Sequence, residues 1–167
     1  MMQTDVKSGH LNNTGFVVLG RTRLKAISTV GSATAGTLDV FDTTTAPVSA
    51  TYERAGTLIT VTKNGHGLVT GNMVGLAFAT ASGTSGTNSN YIVTRINANT
   101  FSVTDINSGT VASGTAALYA SLWIASYDIG ATDVFGNFVL IPGEGVLIKN
   151  GIYLSMTNLT SANVYYG

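Results

Sequence analysis

The stretch FVLIPGEGVLIKNGIYLSMTNLTSANVYYG, residues 138–167, reads as a series of short β-strands separated by turns. Its apolar, β-prone runs are 138–141, 146–149, 152–156 and 164–166. Turn-forming residues separate them, at Pro142-Gly143-Glu144-Gly145, at Asn150-Gly151 and at 158–162. Because Asn-Gly strongly favours a tight type I′ hairpin turn, we expect the two runs on either side of it to form a hairpin.

The residues before position 50 contain β-prone runs that could pair with this C-terminal sheet. Residues 1–14 are polar and lack periodicity, so we interpret them as an N-terminal arm, either frayed or lying as a tether on a neighbouring subunit. Three strands are then predicted, at 15–20, 21–30 and 37–42. Leu24, Ile27, Leu38, Val40 and Phe41 are therefore expected to share a core with Val139, Ile141, Leu147, Tyr153 and Leu154.

Between these two parts the composition becomes rich in Gly, Thr and Asn, with about five short strands at regular spacing. This spacing is typical of a small all-β barrel or sandwich, and no stretch has the helical period. We therefore predict an all-β protein. A small, jelly-roll-like β-sandwich domain, residues 15–49 and 121–167, is split by an inserted barrel or sandwich module, residues 50–120. Insertion at a loop tip is tolerated because loop-closure entropy grows slowly with length.

Composition excludes several classes of function. Only 10% of the residues are charged, with eight Lys+Arg against eight Asp+Glu, which argues against nucleic-acid binding and against a basic membrane patch. The absence of Cys excludes disulfides, zinc thiolates and thiol catalysis. Low charge favours association, and the small split domain favours a homo-oligomer, with a trimer preferred. No apolar run is long enough to predict a membrane span.

The residues that could act in catalysis or metal binding are better explained by structural roles. His66 lies between two glycines, and we interpret it as a turn residue that caps the local backbone. Asp128 and Asp133 lack the spacing of a calcium loop and are interpreted as turn residues. Asp39 and Asp42 fall on opposite faces of a strand, so they do not form a carboxylate pair for acid–base catalysis. The sequence therefore predicts no enzyme, no cofactor and no metal site.

The middle of the chain resembles a small β module of bacteriophage tail and fibre proteins. The resemblance is carried by the Thr-rich strand and Gly-His-Gly-Leu within 60–68, by Gly71-Asn72 and by Asn99-Thr100-Phe101. That module is similar to the first catalytic-cysteine half-domain of ubiquitin-activating enzymes. The resemblance implies a phage structural spacer or binding module. It does not imply ubiquitin activation, because the chain has neither Cys nor a nucleotide site.

The flanking parts resemble small virion proteins of marine T7-like tailed bacteriophages. The stretches that carry this second resemblance are 20–31, 36–42, 141–145, 150–153 and 164–167. It implies a structural protein that is assembled in the host cytoplasm and located in the virion. Its partners would be the major capsid protein or other virion proteins.

From these resemblances we expect a head decoration or cement protein that binds and stabilises the capsid surface. A tail or fibre component is the alternative within the same class. A carbohydrate-binding module contacting the host cell surface is the alternative of another class, since Tyr153, Tyr165, Tyr166 and Trp123 could form a sugar platform, although core and interface packing explains them more simply. The candidate residues for capsid or subunit contact are Leu11, Phe16, Arg21, Arg23, Tyr165 and Tyr166.

Overall fold

A computed structural model describes residues 5–79, 82–119, 122–131 and 136–167. Within these ranges every regular element is a β-strand, and all the registers between them are antiparallel, which confirms the all-β prediction. The strands are β1 (Lys7–Leu11), β2 (Gly15–Leu19), β3 (Thr22–Gly31), β4 (Gly36–Asp42), β5 (Val48–Thr62), β6 (Met73–Phe78), β7 (Ser89–Ile92), β8 (Thr94–Arg95), β9 (Thr100–Tyr119), β10 (Leu122–Ile129), β11 (Asn137–Leu140), β12 (Val146–Ile148), β13 (Gly151–Thr157) and β14 (Leu159–Tyr166).

The chain divides into two compact units. One unit combines Met1–Ala46 with Ile124–Gly167, and the other is the continuous segment Pro47–Trp123. We call them the jelly-roll unit and the inserted unit. The two boundaries predicted from the sequence fall after residues 49 and 120, and the second of these positions lies outside the described residues.

The jelly-roll unit consists of two sheets. Sheet A has the order β1-β14-β3-β11, with β12 also pairing with β3, and sheet B has the order β10-β4-β13-β2. If the strands of this unit are numbered alone, with β11 and β12 as two pieces of the sixth strand, the orders become 1-8-3-6 and 2-7-4-5. These are the strand orders of a jelly roll, a double Greek key. The inserted unit follows the fourth strand in the chain and precedes the fifth.

The predicted shared core is confirmed for most of its members. Buried side chains from both sheets form one cluster that contains Leu24, Ile27, Leu38, Val40 and Leu154, and Ile141 packs against it. The prediction was wrong for the remaining four residues. Phe41 and Tyr153 are buried, but they pair with each other on the opposite face of sheet B. Val139 and Leu147 are only half-buried, and Ile148 takes the core position next to Leu147.

The predicted type I′ hairpin at Asn150-Gly151 was also wrong. Neither residue has a positive φ, and the strands on either side, β12 and β13, belong to different sheets. The carboxylate of Asp42 holds this connection instead, because it accepts hydrogen bonds from the backbone N–H groups of residues 149, 150 and 151 at 2.9, 2.7 and 3.2 Å. Glycine is needed at 151, since a Cβ atom there would lie 2.8 Å from the Val18 carbonyl oxygen.

The segment predicted as an N-terminal arm contains a strand. Residues Lys7–Leu11 form β1, which pairs with β14 from Lys7 opposite Tyr166 to Leu11 opposite Ala162. An edge strand gains its stability through main-chain hydrogen bonds, so KSGHL can occupy it without an apolar alternation. Gly9 permits close packing on β2, because a Cβ atom there would lie 2.6 Å from Val17 Cγ1. Deleting the first 13 residues would therefore remove the first strand of the jelly roll.

The inserted unit is built on the long antiparallel pair of β5 and β9. Strand β9 also pairs with β8 near its start and with β6 near its end, and β6 pairs in turn with β7. The inward side chains form a single core, which contains Tyr52, Ile59, Leu76, Phe78, Tyr91, Phe101 and Val103. The described strands do not close into a barrel, since β7 pairs only with β6. The sandwich-like form of the prediction fits better than the barrel.

Sheet B contains one poorly compensated buried carboxylate. Asp39 on β4 is 6% exposed, and its Oδ1 atom has no hydrogen-bond partner among the residues that the structure describes. Burial raises the pKa of Asp39, the hydroxyl of Ser126 opposes this rise through a hydrogen bond, and the charge of Asp128 adds to it. Asp128 was predicted to lie in a turn but belongs to β10, and Asp133 lies outside the described residues.

We expect Asp39→Asn to stabilise the jelly-roll unit by about 1–2 kcal/mol at pH 7, because a neutral amide costs less to bury than a carboxylate. A raised folded-state pKa makes the wild type most stable below the unfolded value of 3.8, and this stability is lost as the pH rises through the folded-state pKa. The advantage of the variant should therefore grow from pH 4 to pH 7 in urea denaturation. An exposed control, Asp5→Asn, should show no such trend, and a constant difference for Asp39→Asn would contradict the assignment.

Candidate interaction groove

A groove of about 530 Å³ lies on the jelly-roll unit where strands of both sheets begin or end. Lys7 opens β1 and pairs with Tyr166 near the end of β14, and Tyr166 in turn pairs with Leu24, the neighbour of Arg23 on β3. Arg21 belongs to the turn between β2 and β3. In that turn Gly20 has a φ of +100° and donates its backbone N–H to the Asn150 carbonyl oxygen at 2.7 Å.

Basic side chains are concentrated in the lining of the groove. Lys7, Arg21 and Arg23 are three of the eight basic residues of the chain, and Asp5 is the only acidic side chain among the described residues that line the groove. Lys7 and Arg21 have no ion pair or hydrogen bond from their side chains within the described part of the protein. Both groups are exposed and available to an external partner.

Arg23 is positioned at the edge of the groove but is not neutralised there. Its Nη1 donates to the Gly145 carbonyl oxygen at 3.4 Å, and its Nε lies 3.9 Å from Glu144 Oε2. The Glu144 side chain is 79% exposed, so water screens this ion pair and leaves it weak. The backbone contact orients the guanidinium group, whose other donors remain free in the described structure.

An apolar wall accompanies these charges. Leu19, at the end of β2, is 63% exposed, although it is a large aliphatic residue. Tyr166 is half-buried and packs against the core of the jelly-roll unit while it lines the groove. The groove therefore presents two kinds of contact side by side, cationic and apolar.

Three of the six predicted contact residues meet in this groove, and three do not. Arg21, Arg23 and Tyr166 converge there. Leu11 packs against the core, and Phe16 contacts the ring of Tyr153 on the outward face of sheet B, with ring centroids 4.9 Å apart. Tyr165 contacts Phe138, 6.0 Å between ring centroids, on the outward face of sheet A. These six residues do not form one surface.

Sequence reasoning missed Lys7 and Leu19 as members of the groove. The position of Lys7 depends on β1, which was predicted as an irregular arm. Leu19 falls in an apolar run that resembles an ordinary buried strand. The only signal for it was its place at the end of that run, directly before the Gly20 turn.

A second apolar surface lies on the outward face of sheet A. Phe138 and Leu140 on β11 are 60% and 68% exposed, and Tyr165 lies beside Phe138. This strip carries no charge of its own. Tyr153, Tyr165 and Tyr166 therefore occupy three separate surroundings, so they do not assemble the sugar platform considered from the sequence.

The residues that carry the resemblance of the inserted unit have structural roles. Nδ1 of His66 accepts a hydrogen bond from the Leu68 backbone N–H at 3.0 Å, and Nε2 donates to the Asn97 carbonyl oxygen at 3.0 Å. Oδ1 of Asn99 accepts from the backbone N–H of Gly65 at 2.9 Å. The Gly-His-Gly-Leu loop is thus tied to the hairpin turn at residues 97–99. The prediction that His66 caps the local backbone is confirmed.

The inserted unit has its own surface cavity of about 400 Å³. Its lining includes the hydroxyl residues Ser89, Thr94 and Thr104, with Ile92 and Ile106 exposed beside them at 65% and 88%. Asn90 also lines it, but its side-chain amide is already used. The amide donates to the Trp123 carbonyl oxygen at 2.8 Å and accepts from the Trp123 backbone N–H at 2.7 Å.

Within the described residues, no three acidic or histidine side chains come close enough together to hold a metal ion. The same residues include no helix of the length and hydrophobicity that a membrane crossing requires. No protein-family model, curated protein or solved structure matches this chain.

Proposed function

We propose that this protein is a structural component of a bacteriophage virion, a head decoration protein that binds and stabilises the capsid surface. The observation that carries the proposal is the complete jelly-roll strand order of the unit formed by the two flanking parts of the chain. Jelly rolls are common in viral capsid proteins and in lectins. In this proposal the jelly-roll unit binds the major capsid protein, and the inserted unit is the displayed module.

A fold alone does not define a function, so the proposal also uses the site and the sequence. The groove with Lys7, Arg21 and Arg23 provides a surface for a protein partner. The resemblance of the flanking stretches to small phage virion proteins is the reason for proposing a phage virion as the particle to which the protein binds. We propose a homotrimer as the attached form, because a small jelly roll without disulfides gains stability from association.

Cryo-electron microscopy of purified phage particles, with quantitative mass spectrometry, tests this function. A decoration protein should be present at symmetry-related sites of the head lattice, with a copy number comparable to that of the major capsid protein. About six or twelve copies per particle would instead indicate the tail or fibre alternative. Absence from purified particles would exclude both.

The cavity of the inserted unit favours one second candidate, a carbohydrate-binding role. Its hydroxyl groups can hydrogen-bond to a neutral sugar, while Ile92 and Ile106 can contact the apolar face of a sugar ring. Screening the intact protein on a glycan array separates this candidate from a purely structural module. Binding that is lost in Thr94→Val would support it, and an array without signal would exclude it.

A further inference from the structure

We infer that the groove of the jelly-roll unit binds an extended acidic segment of a partner protein, which carries apolar side chains as well as carboxylates. The inference deepens the proposed function, on which it rests, by specifying the chemistry of the capsid partner. Its basis is charge complementarity. Three cationic side chains line the groove, and Asp5 is the single acidic side chain among its described lining residues, with Glu144 only in a screened contact with Arg23.

The three cations come from three separate segments of the chain. Lys7 lies on β1, Arg21 in the β2–β3 turn and Arg23 on β3, so each segment contributes one positive charge to the groove lining. Arg23 is oriented by the Gly145 carbonyl oxygen, which leaves the rest of its planar fork free to bind a carboxylate.

The apolar wall determines the kind of acidic partner. The phosphate backbone of a nucleic acid offers no apolar surface to cover Leu19, which is 63% exposed and lines the groove with the basic residues. Burying its side chain together with the ring face of Tyr166 would remove apolar surface from water. A peptide that contains both acidic and apolar residues can make both kinds of contact, because its carboxylates can pair with the basic side chains while an apolar side chain covers Leu19.

The experiment uses the full chain and a fluorescein-labelled peptide of about ten residues in which Glu alternates with Val. We expect saturable binding that weakens as salt is raised, with amide chemical-shift changes at Lys7, Leu19, Arg21 and Arg23 in ¹⁵N-labelled protein. Arg21→Glu combined with Arg23→Glu should weaken binding at least about tenfold. Lys7→Glu serves as an independent variant from another strand and should also weaken it.

Lys149→Glu is the matched control, because it makes the same charge change in the same unit but outside the groove lining. It should change binding less than about twofold. Equal loss in this control, or absence of peptide binding by a folded wild type, would overturn the inference. Equal or tighter binding of inorganic phosphate or of an oligothymidylate in the groove would also overturn it, because the site would then be a general anion site.

The same variants separate this inference from the proposed function. A protein that binds the peptide but is absent from phage particles would refute the virion role and leave the acidic-peptide site standing. A protein that is abundant on particles and stays there with Arg21→Glu and Arg23→Glu would refute the groove as the attachment site and leave the virion role standing.

Discussion

Replacing Arg54 with methionine is expected to destabilise the inserted unit by about 3–5 kcal/mol, because the change leaves a buried carboxylate without its counter-charge. Arg54 on β5 and Asp105 on β9 form an ion pair with 2.9 Å between Nη2 and Oδ2, and their side chains are 0% and 1% exposed. A charge so far from water is tolerated only when it is paired and fully hydrogen-bonded.

The hydrogen bonds around this ion pair explain why so polar a group can occupy the interior. The guanidinium group of Arg54 donates to four backbone carbonyl oxygens, those of Gly56, Thr84, Ser85 and Asn107. The carboxylate of Asp105 accepts from the backbone N–H groups of Thr87 and Asn107. Burial acts to raise the pKa of Asp105, but the hydrogen bonds from Thr87 and Asn107 and the charge of Arg54 outweigh it, so the pKa is lowered.

Thermal unfolding and hydrogen exchange measured by mass spectrometry test this prediction. Peptides from residues 47–123 should lose protection in Arg54→Met, whereas the exposed control Arg95→Met should match the wild type. Arg54→Met combined with Asp105→Leu should recover only part of the loss, because it removes the unpaired charge but leaves the backbone groups bound by both side chains without partners. A single Arg54→Met variant as stable as the wild type would show that the ion pair is dispensable.

The lowered pKa of Asp105 also predicts the pH dependence of this unit. A depressed folded-state pKa contributes stability that is complete above the unfolded value of 3.8 and is lost as the pH falls through the folded-state value. The inserted unit should therefore lose stability on acidification, in the direction opposite to the contribution of Asp39 in the jelly-roll unit. In Asp105→Leu combined with Arg54→Met, this acid-dependent loss should become smaller.

Replacing Asp42 with alanine is the second change with a large expected effect, about 3–5 kcal/mol in the jelly-roll unit. Asp42 is 2% exposed, and its carboxylate accepts three backbone hydrogen bonds from residues 149–151. Alanine would remove the acceptor of all three amide donors, and the donor of Gly151 is buried and would be left without a partner. The hydrogen bond of the Thr43 backbone N–H to the Gly151 carbonyl oxygen, 2.9 Å, lies in the same connection. An unsatisfied buried donor loses its full solvation energy.

Equilibrium denaturation with exchange mass spectrometry measures this effect. Asp42→Asn should fall between the wild type and Asp42→Ala, because the amide oxygen still accepts hydrogen bonds while the amide nitrogen cannot. The exposed control Glu144→Ala should change stability by less than about 0.5 kcal/mol. If Asp42→Ala leaves exchange at residues 149–151 as slow as in the wild type, then another group holds that connection.

The sequence predicted the strands better than it predicted their connections. Leu24, Val40 and Leu154 share one core because an alternation with period two marks the buried face of a strand directly. The Asn150-Gly151 turn was misjudged because its geometry depends on Asp42, which lies far away in the chain and looks like an ordinary strand residue. The turn preference of a dipeptide depends on its own two residues and does not include a hydrogen-bond acceptor that is distant in the sequence.

Only some of the residues that line the groove were predicted, for a similar reason. Arg21 and Arg23 were recognised because they are close together in the sequence. Lys7 joins them only through the register of β1 on β14 and of β14 on β3, which brings together three segments from opposite ends of the chain. The buried pair of Arg54 and Asp105 was missed completely, because single charged residues in a Thr-rich stretch resemble solvent-exposed ones.

The place of the inserted unit between the fourth and fifth jelly-roll strands allows this unit to fold before the jelly roll during synthesis on the ribosome. The segment 47–123 is continuous, so it can finish folding as soon as it has emerged, while β1 to β4 still wait for β13 and β14. Pairing of Val48 with Leu118 then brings the two ends of that segment together. The loop that the jelly roll must close becomes short, and the entropy cost of its late, long-range contacts falls.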